Sequence, residues 1–289
     1  MLASIMPVSA LLLIIASGLI LSVWNLLVKK ASDPSVFFLG AVVFGLALYT
    51  PAFVLIIAPG LEPPSFQAAA ATALAGLTEG VYFILLTLTY RRGDLSLVYP
   101  VSRGSSPLFI LAGGVLLLAE GVTVLGYVGI GLIVAGIAAV AWPGRGARVT
   151  AVAVILSLST GASIAAHHVC YKWALGFVPS YAVIYVAWSI AAVALGVYCL
   201  ATRPFFAAAR YLYNHIFAAV AVGVIAIGGF LCALVALNMT FVSYMGAARN
   251  VGMIFSVIFG AQLLGEGARW RRLAGAGAIT VGVAFIALA

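Results

Sequence analysis

Two arginine residues lie inside long apolar stretches of this 289-residue chain. Arg103 lies in residues 89–120, which are mostly apolar and long enough to cross a bilayer, and Arg249 lies in a similar stretch near the C-terminus. An arginine at the centre of a membrane helix costs about 2.5–3.5 kcal/mol on insertion scales, so such residues usually face a protein interior or a watery cavity. A planar guanidinium binds a carboxylate or phosphate through two parallel hydrogen bonds. The pair therefore predicts binding of an anionic group within the membrane.

The two arginines occupy equivalent positions in an internal repeat. Arg249 follows Arg103 by 146 residues, and Glu266 follows Glu120 by the same interval. Further identical residues recur at this offset: Phe109 and Phe255, Gly114 and Gly260, Leu117 and Leu263, Leu118 and Leu264, Gly121 and Gly267, Gly129 and Gly275, Gly131 and Gly277, Gly136 and Gly282. An ungapped series of this kind indicates a duplication, with one arginine at the corresponding place in each half.

The composition is that of an integral membrane protein. Hydrophobic residues make up 65% of the chain and charged residues only 7%, whereas a soluble domain carries about 25% charged residues. The net charge of +8 comes from short basic clusters between apolar runs, which is typical of membrane orientation, so we expect no nucleic-acid partner. The cysteines lack metal-ligand spacing, and we expect no metal ion and no cofactor.

Ten apolar stretches are long enough to serve as membrane-spanning helices. We expect the first to be a span and not a cleaved signal peptide, because no lysine or arginine precedes it. The predicted spans cover about 7–28, 36–58, 67–90, 95–119, 122–142, 149–175, 181–201, 215–237, 239–264 and 273–289. They form two five-helix repeats, residues 1–146 and 147–289, which make one membrane-embedded unit. The predicted fold class is an all-α polytopic membrane protein.

An odd number of helices in each half means that the two repeats enter the membrane from opposite sides. Inverted repeats of this kind place the substrate site near the midplane, between the repeats. Lys172 is a borderline case at a helix end, and eleven of the fourteen lysine and arginine residues fall in the odd-numbered loops or at their edges: Lys29, Lys30, Arg91, Arg92, Arg145, Arg148, Arg203, Arg210, Arg269, Arg271 and Arg272. The positive-inside rule then predicts cytoplasmic odd-numbered loops and places both termini outside the inner (plasma) membrane.

The chain resembles the drug/metabolite transporter superfamily in its ten-helix, EamA-type form. The motifs that carry the resemblance are LLLAEG at 116–121 and QLLGEG at 262–267, each followed by a glycine-rich helix, and the first helices of the two halves. Gly18, Trp24, Asn25 and Lys29 parallel Gly161, His167, His168 and Lys172 at an offset of 143. The resemblance implies a carrier of small solutes that works by alternating access. It also implies a central cavity lined by helices one, three, four, six, eight and nine.

The residues around the arginines complete the predicted site. Proline removes a helical hydrogen bond, so Pro107 frees the carbonyl of Arg103, and irregular backbone at membrane depth is tolerated where it lines a cavity. Tyr99 and Ser106 share a helix face with Arg103, and Glu79 lies well inside an apolar run. The predicted substrate-binding residues are Arg103, Arg249, Glu79, Tyr82, Tyr99, Trp24, Asn25, His167, His168, Asn250 and Ser106.

Several of these residues have two interpretations. Either arginine could be structural, paired with Glu79 or capping carbonyls of a broken helix, and Glu79 is a buried counter-ion or a proton carrier. Adjacent helical residues point about 100° apart, so at most one of His167 and His168 is expected to face the cavity. Lys172 is expected to be a helix-end residue whose ammonium group reaches the membrane surface. Glu120 and Glu266 are expected to be structural or loop-gating residues.

The sequence therefore predicts a secondary transporter of a small anionic or zwitterionic metabolite, such as an amino acid, an organic acid or a phosphate- or phosphonate-like compound. The alternatives are an exporter of hydrophobic or cationic compounds, with both arginines bound internally, and a flippase of a phosphate-bearing, lipid-linked intermediate. We expect no enzyme, because the sequence lacks a nucleophile, metal cluster or acid–base pair at an interface. The expected partners are a small-molecule substrate and membrane lipid, with a monomer favoured and a homodimer as the alternative.

Overall fold

The computed structural model describes residues 6–29, 31–92, 95–141, 150–252 and 270–289, which form helices and connecting loops, without strands. The helices are α1 Val8–Lys29, α2 Pro34–Ala52, α3 Phe66–Arg92, α4 Leu95–Leu118, α5 Val124–Ala141, α6 Ala151–Ala174, α7 Ser180–Thr202, α8 Phe205–Asn214, α9 Ile216–Met239, α10 Val242–Ala248 and α11 Trp270–Ala287. The predicted all-α polytopic membrane fold is confirmed.

The described helices follow the predicted spans closely. Within the described ranges, six helices are long and apolar enough to cross a membrane, and α1, α5 and α11 contain shorter apolar segments. The predicted ninth span, 239–264, begins with α10, and its residues after Gly252 lie outside the described part of the chain. Helix α8 is an additional element between α7 and α9. Its exposed aromatic residues, such as Phe206, are typical of a helix at a membrane interface.

Short polar residues begin several of these helices. The side chain of Asp33 accepts a hydrogen bond from the backbone N–H of Val36 at the start of α2. The hydroxyl of Thr150 accepts from the N–H of Ala153 at the start of α6. Each cap satisfies one of the N–H groups that the first turn of a helix leaves without a helical partner. The apolar runs thus begin as helices at defined positions.

The two halves of the chain pack into each other. Helix α3 of the first half packs against α6 and α7 of the second, while α9 of the second half packs against α1 and α2 of the first. A Cβ atom on Gly76 of α3 would lie 2.7 Å from the carbonyl oxygen of Ala187, and a Cβ on Gly223 of α9 would meet the carbonyl oxygen of Ala41. Gly223 follows Gly76 by 147 residues and Ala187 follows Ala41 by 146. The repeat therefore relates these two contacts to each other.

Helices α5 and α11 show the same relationship more directly. A Cβ on Gly282 would lie 2.6 Å from the carbonyl oxygen of Gly129, and a Cβ on Gly136 would lie 2.6 Å from that of Gly275. Gly275 and Gly282 are the repeat equivalents of Gly129 and Gly136 at the offset of 146. Each contact is thus the other with its partners exchanged. An antiparallel pair that crosses in this way is what a twofold relation between inverted halves requires.

Polar contacts join loops at the two ends of the bundle. Arg203, after α7, pairs with Asp33, in the loop before α2. At the other end, Glu120, after α4, accepts hydrogen bonds at the start of α10. The first pair joins two odd-numbered loops and the second joins two even-numbered loops. Because successive membrane helices run in opposite directions, the odd-numbered and even-numbered loops lie at opposite ends of the bundle.

Candidate functional site: a cavity between the two halves

A cavity lies where α1, α2, α3, α4, α6, α7, α9 and the residues after α10 converge. Its volume, taken as the space open to the centre of a water molecule, is about 20 Å³. A single water needs about 10–15 Å³ by that measure, so a metabolite enters only when the helices separate. The lining residues are Leu21, Trp24, Phe38, Glu79, Tyr82, Phe83, Arg103, Ile164, His167, His168, Trp188, Ala226, Phe230 and Arg249.

Arg103 reaches the cavity from the middle of α4, which stays helical from Leu95 to Leu118 despite its two prolines. Its guanidinium Nη2 donates a hydrogen bond to the hydroxyl of Tyr82 at 3.3 Å. Pro107 cannot donate to the carbonyl of Arg103, and the hydroxyl of Ser106 donates to it instead at 3.1 Å. Ser106 therefore stabilises the backbone below the arginine.

Arg249 reaches the cavity from the opposite half, at a break in helical geometry. Helix α10 ends at Ala248, and Arg249–Val251 form a 3₁₀ turn. The guanidinium Nε donates to the hydroxyl of Ser17 on α1 at 2.9 Å, and its central carbon lies 5.1 Å from the ring centroid of Phe230. A guanidinium over an aromatic face is attracted by the ring. These two contacts hold the cation beneath the cavity surface.

Glu79 brings a carboxylate to the same space from α3. It is 1% exposed, and its Oε2 lies 3.6 Å from Nε2 of His167 on α6. Among the described residues, no hydrogen-bond donor reaches this oxygen. Both arginines lie within electrostatic range of the carboxyl, and Tyr171 neighbours it. Among the described lining residues, the cavity thus contains two guanidinium groups and one carboxyl.

Both histidines line the cavity, so the expectation that at most one would do so is wrong. Their ring centroids are 4.4 Å apart, and each Nδ1 contacts the carbonyl oxygen four residues earlier, Ser163 for His167 and Ile164 for His168. Helix α6 packs against both α3 and α4 and also contacts α9. Two neighbouring faces of α6 therefore point inward, and residues about 100° apart can both reach the cavity.

Aromatic side chains form much of the remaining wall. Trp24 stacks on Phe38 at 5.1 Å, and Phe38 meets the edge of Phe83 at 4.6 Å. Trp188 lies 5.4 Å from Phe230. The resemblance implied no contribution from helices two and seven, yet α2 supplies Phe38 and α7 supplies Trp188. Aromatic residues in apolar helices are common, so their types alone gave no signal of these positions.

The structure brings seven of the predicted site residues together: Trp24, Glu79, Tyr82, Arg103, His167, His168 and Arg249. Ser106 and Asn250 lie outside the lining and bond to backbone carbonyls; the amide of Asn250 donates to Gly246 at 3.1 Å and to Ala247 at 3.3 Å. Their polar groups therefore hydrogen-bond to backbone carbonyls of a broken or proline-containing helix. The side chains of Tyr99 and Asn25 lie outside the described part of the structure.

Residues 151–288, which include the histidines and Arg249, match the EamA-like transporter family. This part of the chain belongs to that family. The resemblance to the drug/metabolite transporter superfamily is thereby confirmed, and the chain is a membrane transporter of that superfamily. A search of curated proteins gives no match. One solved crystal structure superposes with a TM-score of 0.76 at 16% identity, covering 97% of this chain and 98% of that one. At this identity the similarity shows the fold alone.

The EamA-type LLLAEG segment ends in a defined contact. Ala119 has a positive φ of 52°, which turns the chain so that Glu120 reaches the first turn of α10. Lys172 lies at the same end of the bundle, and its Nζ donates to the carbonyls of Leu237 at 2.7 Å and Thr240 at 2.8 Å. The ammonium group thereby donates to carbonyl oxygens at the end of α9, which have no partners within the helix. Lys172 also lies near the end of its own helix. The Glu120 contact joins the two halves on the even-loop side of the cavity, whereas the Lys172 contacts lie within the second half.

Proposed function

We propose that this protein is a secondary transporter of a small anionic or zwitterionic metabolite, which binds between Arg103 and Arg249. One observation carries the proposal: two arginines from equivalent positions in opposite halves line the same cavity, and each is 7% exposed. Two buried cations repel each other, and burial deprives both of water. An anion placed between them would relieve both penalties.

The remaining lining residues suit a small organic compound. Trp24, Tyr82, Phe83, Trp188 and Phe230 offer apolar faces to a carbon skeleton. When it is ionised, Glu79 offers a place for an ammonium group, which in that state extends the class from simple anions to zwitterions. This mixture of aromatic walls and a few charged groups favours a soluble metabolite over a long lipid chain.

The cavity lies between the halves, and this placement supports alternating access. In inverted-repeat transporters one repeat rocks against the other about a central site. We propose that residues 1–146 and 147–289 are the two moving repeats, and that their separation on one side admits the substrate. The charge bias of the loops supports a plasma-membrane orientation with cytoplasmic odd-numbered loops.

The test is a thermal-stability screen of the detergent-purified protein against carboxylates, phosphates, amino acids and organic cations. It compares the wild type with Arg103→Gln, Arg249→Gln and the control Arg210→Gln, which alters an exposed arginine of α8. Anions or zwitterions should stabilise the wild type and the control, because a ligand that binds the folded state alone raises its stability. Both cavity variants should lose the effect. Stabilisation by organic cations or lipids alone, or an undiminished anion effect in both variants, would refute the proposal.

A further inference from the structure

The contact between Glu79 and His167 has an unusual arrangement of hydrogen-bonding groups. Nδ1 of His167 lies 3.0 Å from the carbonyl oxygen of Ser163. A carbonyl can only accept, so Nδ1 carries the hydrogen, and in the neutral ring Nε2 is then an acceptor with a free lone pair. This Nε2 is the atom that faces Oε2 of Glu79, at 3.6 Å.

An ionised carboxylate would therefore present a lone pair to a lone pair. Two acceptors facing each other in a buried site do not attract, whereas one proton on either atom turns the pair into a donor and an acceptor. Glu79 is 1% exposed and His167 is 2% exposed, so bulk water does not supply the missing hydrogen bond. The arrangement favours the uptake of one proton.

The groups that face this pair come from several elements. Helix α3 itself contributes Tyr82, α4 contributes Arg103, α6 contributes His168 and Tyr171, and the 3₁₀ turn after α10 contributes Arg249. Helices α7 and α9 contribute Trp188 and Phe230, which do not titrate. The two guanidinium groups favour an ionised Glu79 when the cavity is otherwise unoccupied. An anion bound between them would cancel that influence.

We propose that Glu79 and His167 form a proton-binding site, and that the protein moves one proton together with its anionic substrate. This inference rests on the proposed function, because the coupling needs the anion between Arg103 and Arg249. A proton on the pair removes the negative charge that competes with the substrate for the arginines. The bound anion in turn makes the protonated pair more favourable, since coupling between two sites is reciprocal.

The internal repeat supports a single proton site. His167 corresponds to Trp24 at the offset of 143, and Glu79 corresponds to Ala226 at the offset of 147 that relates α3 to α9. Both Trp24 and Ala226 line the cavity, and neither titrates. The arginines are duplicated, but the acid and the imidazole are not. One proton for each anion-binding cavity is therefore expected.

The first arm of the test needs no ligand. Infrared spectra of the purified protein, taken from about pH 5 to about pH 9, follow the C=O stretch of protonated carboxyl groups in the range where exposed carboxyls are already ionised. The wild type and the control Glu62→Gln, an exposed loop residue, should show a carboxyl band that titrates in this range, and Glu79→Gln should lack it. A band that survives in Glu79→Gln would overturn the proton site.

The second arm measures the affinity for benzoate and sulfate, whose charges stay constant over this pH range. Above the midpoint of the infrared change, wild-type affinity should fall about tenfold per pH unit, the slope for one linked proton. Glu79→Gln should bind at all pH values as the wild type does at low pH. A pH-dependent affinity in Glu79→Gln, or loss of anion binding at every pH, would overturn the coupling.

The two arms separate this inference from the proposed function. Anion binding without a titrating Glu79 would leave the transporter of anions intact and remove the proton coupling. A titrating Glu79 without binding of either anion would remove the coupling and count against the anion site. If Glu79→Gln does not fold, His167→Gln decides, with His215→Gln at an exposed position as its control. Without the imidazole acceptor, the midpoint of the band should move to lower pH, and an unchanged midpoint would overturn the pair.

Discussion

Glu120, at the end of the helix that carries Arg103, binds Ser243 in the first turn of the helix that leads to Arg249. Its Oε2 accepts from the N–H of Ser243 at 3.1 Å and from the hydroxyl at 2.6 Å. Its Oε1 accepts from the N–H of Val242. A carboxylate at a helix N-terminus is favoured by free N–H groups and by the helix dipole. This contact therefore connects α4, which carries Arg103, to α10, which leads to Arg249.

Replacing Glu120 should therefore destabilise the protein. Glu120→Ala leaves two N–H groups and a hydroxyl buried without this acceptor, and we expect a loss of about 2–3 kcal/mol in the free energy of unfolding. Glu120→Gln keeps an acceptor oxygen and should lose less. Denaturant unfolding in detergent measures both, with Glu62→Ala as the control. An Ala variant as stable as the control would contradict this role.

The ion pair between Asp33 and Arg203 should make stability depend on acid pH. Burial alone would raise the pKa of Asp33, but the hydrogen bonds from Arg203 and Val36 and the charge of Arg203 outweigh it, so the pKa lies below its ordinary value of 3.8. The stabilisation is then present above that value and is lost as the pH falls through the folded-state pKa. Because the pair is partly exposed, it should contribute less than about 1 kcal/mol.

Asp33→Asn isolates this charge, because asparagine can still accept the capping hydrogen bond at α2. The variant should be less stable than the wild type at neutral pH, and the difference should shrink towards zero in acid. Thermal unfolding at a series of pH values measures it, alongside Glu62→Gln. A difference that stays constant down to the acid limit would assign the effect to the cap and not to the ion pair.

Close packing of α5 on α11 should make Gly282 sensitive to a single methyl group. A Cβ at this position would lie 2.6 Å from the backbone oxygen of Gly129, and backbone cannot rotate away. Gly282→Ala should lower stability by about 1–3 kcal/mol. Gly277→Ala is the matched control on the same helix, because nothing lies within 4 Å of its Cβ. Equal effects at the two positions would contradict the packing.

Gly18 should control the position of Arg249. A Cβ on this residue of α1 would lie 2.9 Å from the carbonyl oxygen of Arg249 and 3.1 Å from the N–H nitrogen of Gly252. Gly18→Ala should displace the 3₁₀ turn and weaken anion binding roughly tenfold, since misplacement of a bidentate ligand removes part of its hydrogen bonding. Benzoate titration of the wild type and Gly18→Ala measures the change. Gly196→Ala, where the nearest atom is 3.9 Å away, should bind normally, and equal affinities in all three proteins would contradict the prediction.

The sequence by itself determined the membrane fold and the equivalence of the two arginines. Spans follow from local apolar length, because a backbone in lipid must satisfy its own hydrogen bonds as a helix. The repeat offset needed no structure either, and it placed Arg103 and Arg249 in one site. The residue types likewise identified Glu79 and Tyr82 as cavity candidates, since a carboxylate inside an apolar run requires a partner.

Only the tertiary structure decided which atoms meet. That both histidines face inward depends on the helices that surround α6, and that Nε2 of His167 faces Glu79 depends on the bond from Nδ1 to Ser163. Helix rotation and packing across the two halves decide that Ser106 and Asn250 bond to backbone carbonyls. The same packing brings Phe38 and Trp188 into the cavity wall. Periodicity gives the face of a helix, but the partner of that face is set by residues distant in sequence, such as His167, which lies 88 positions after Glu79.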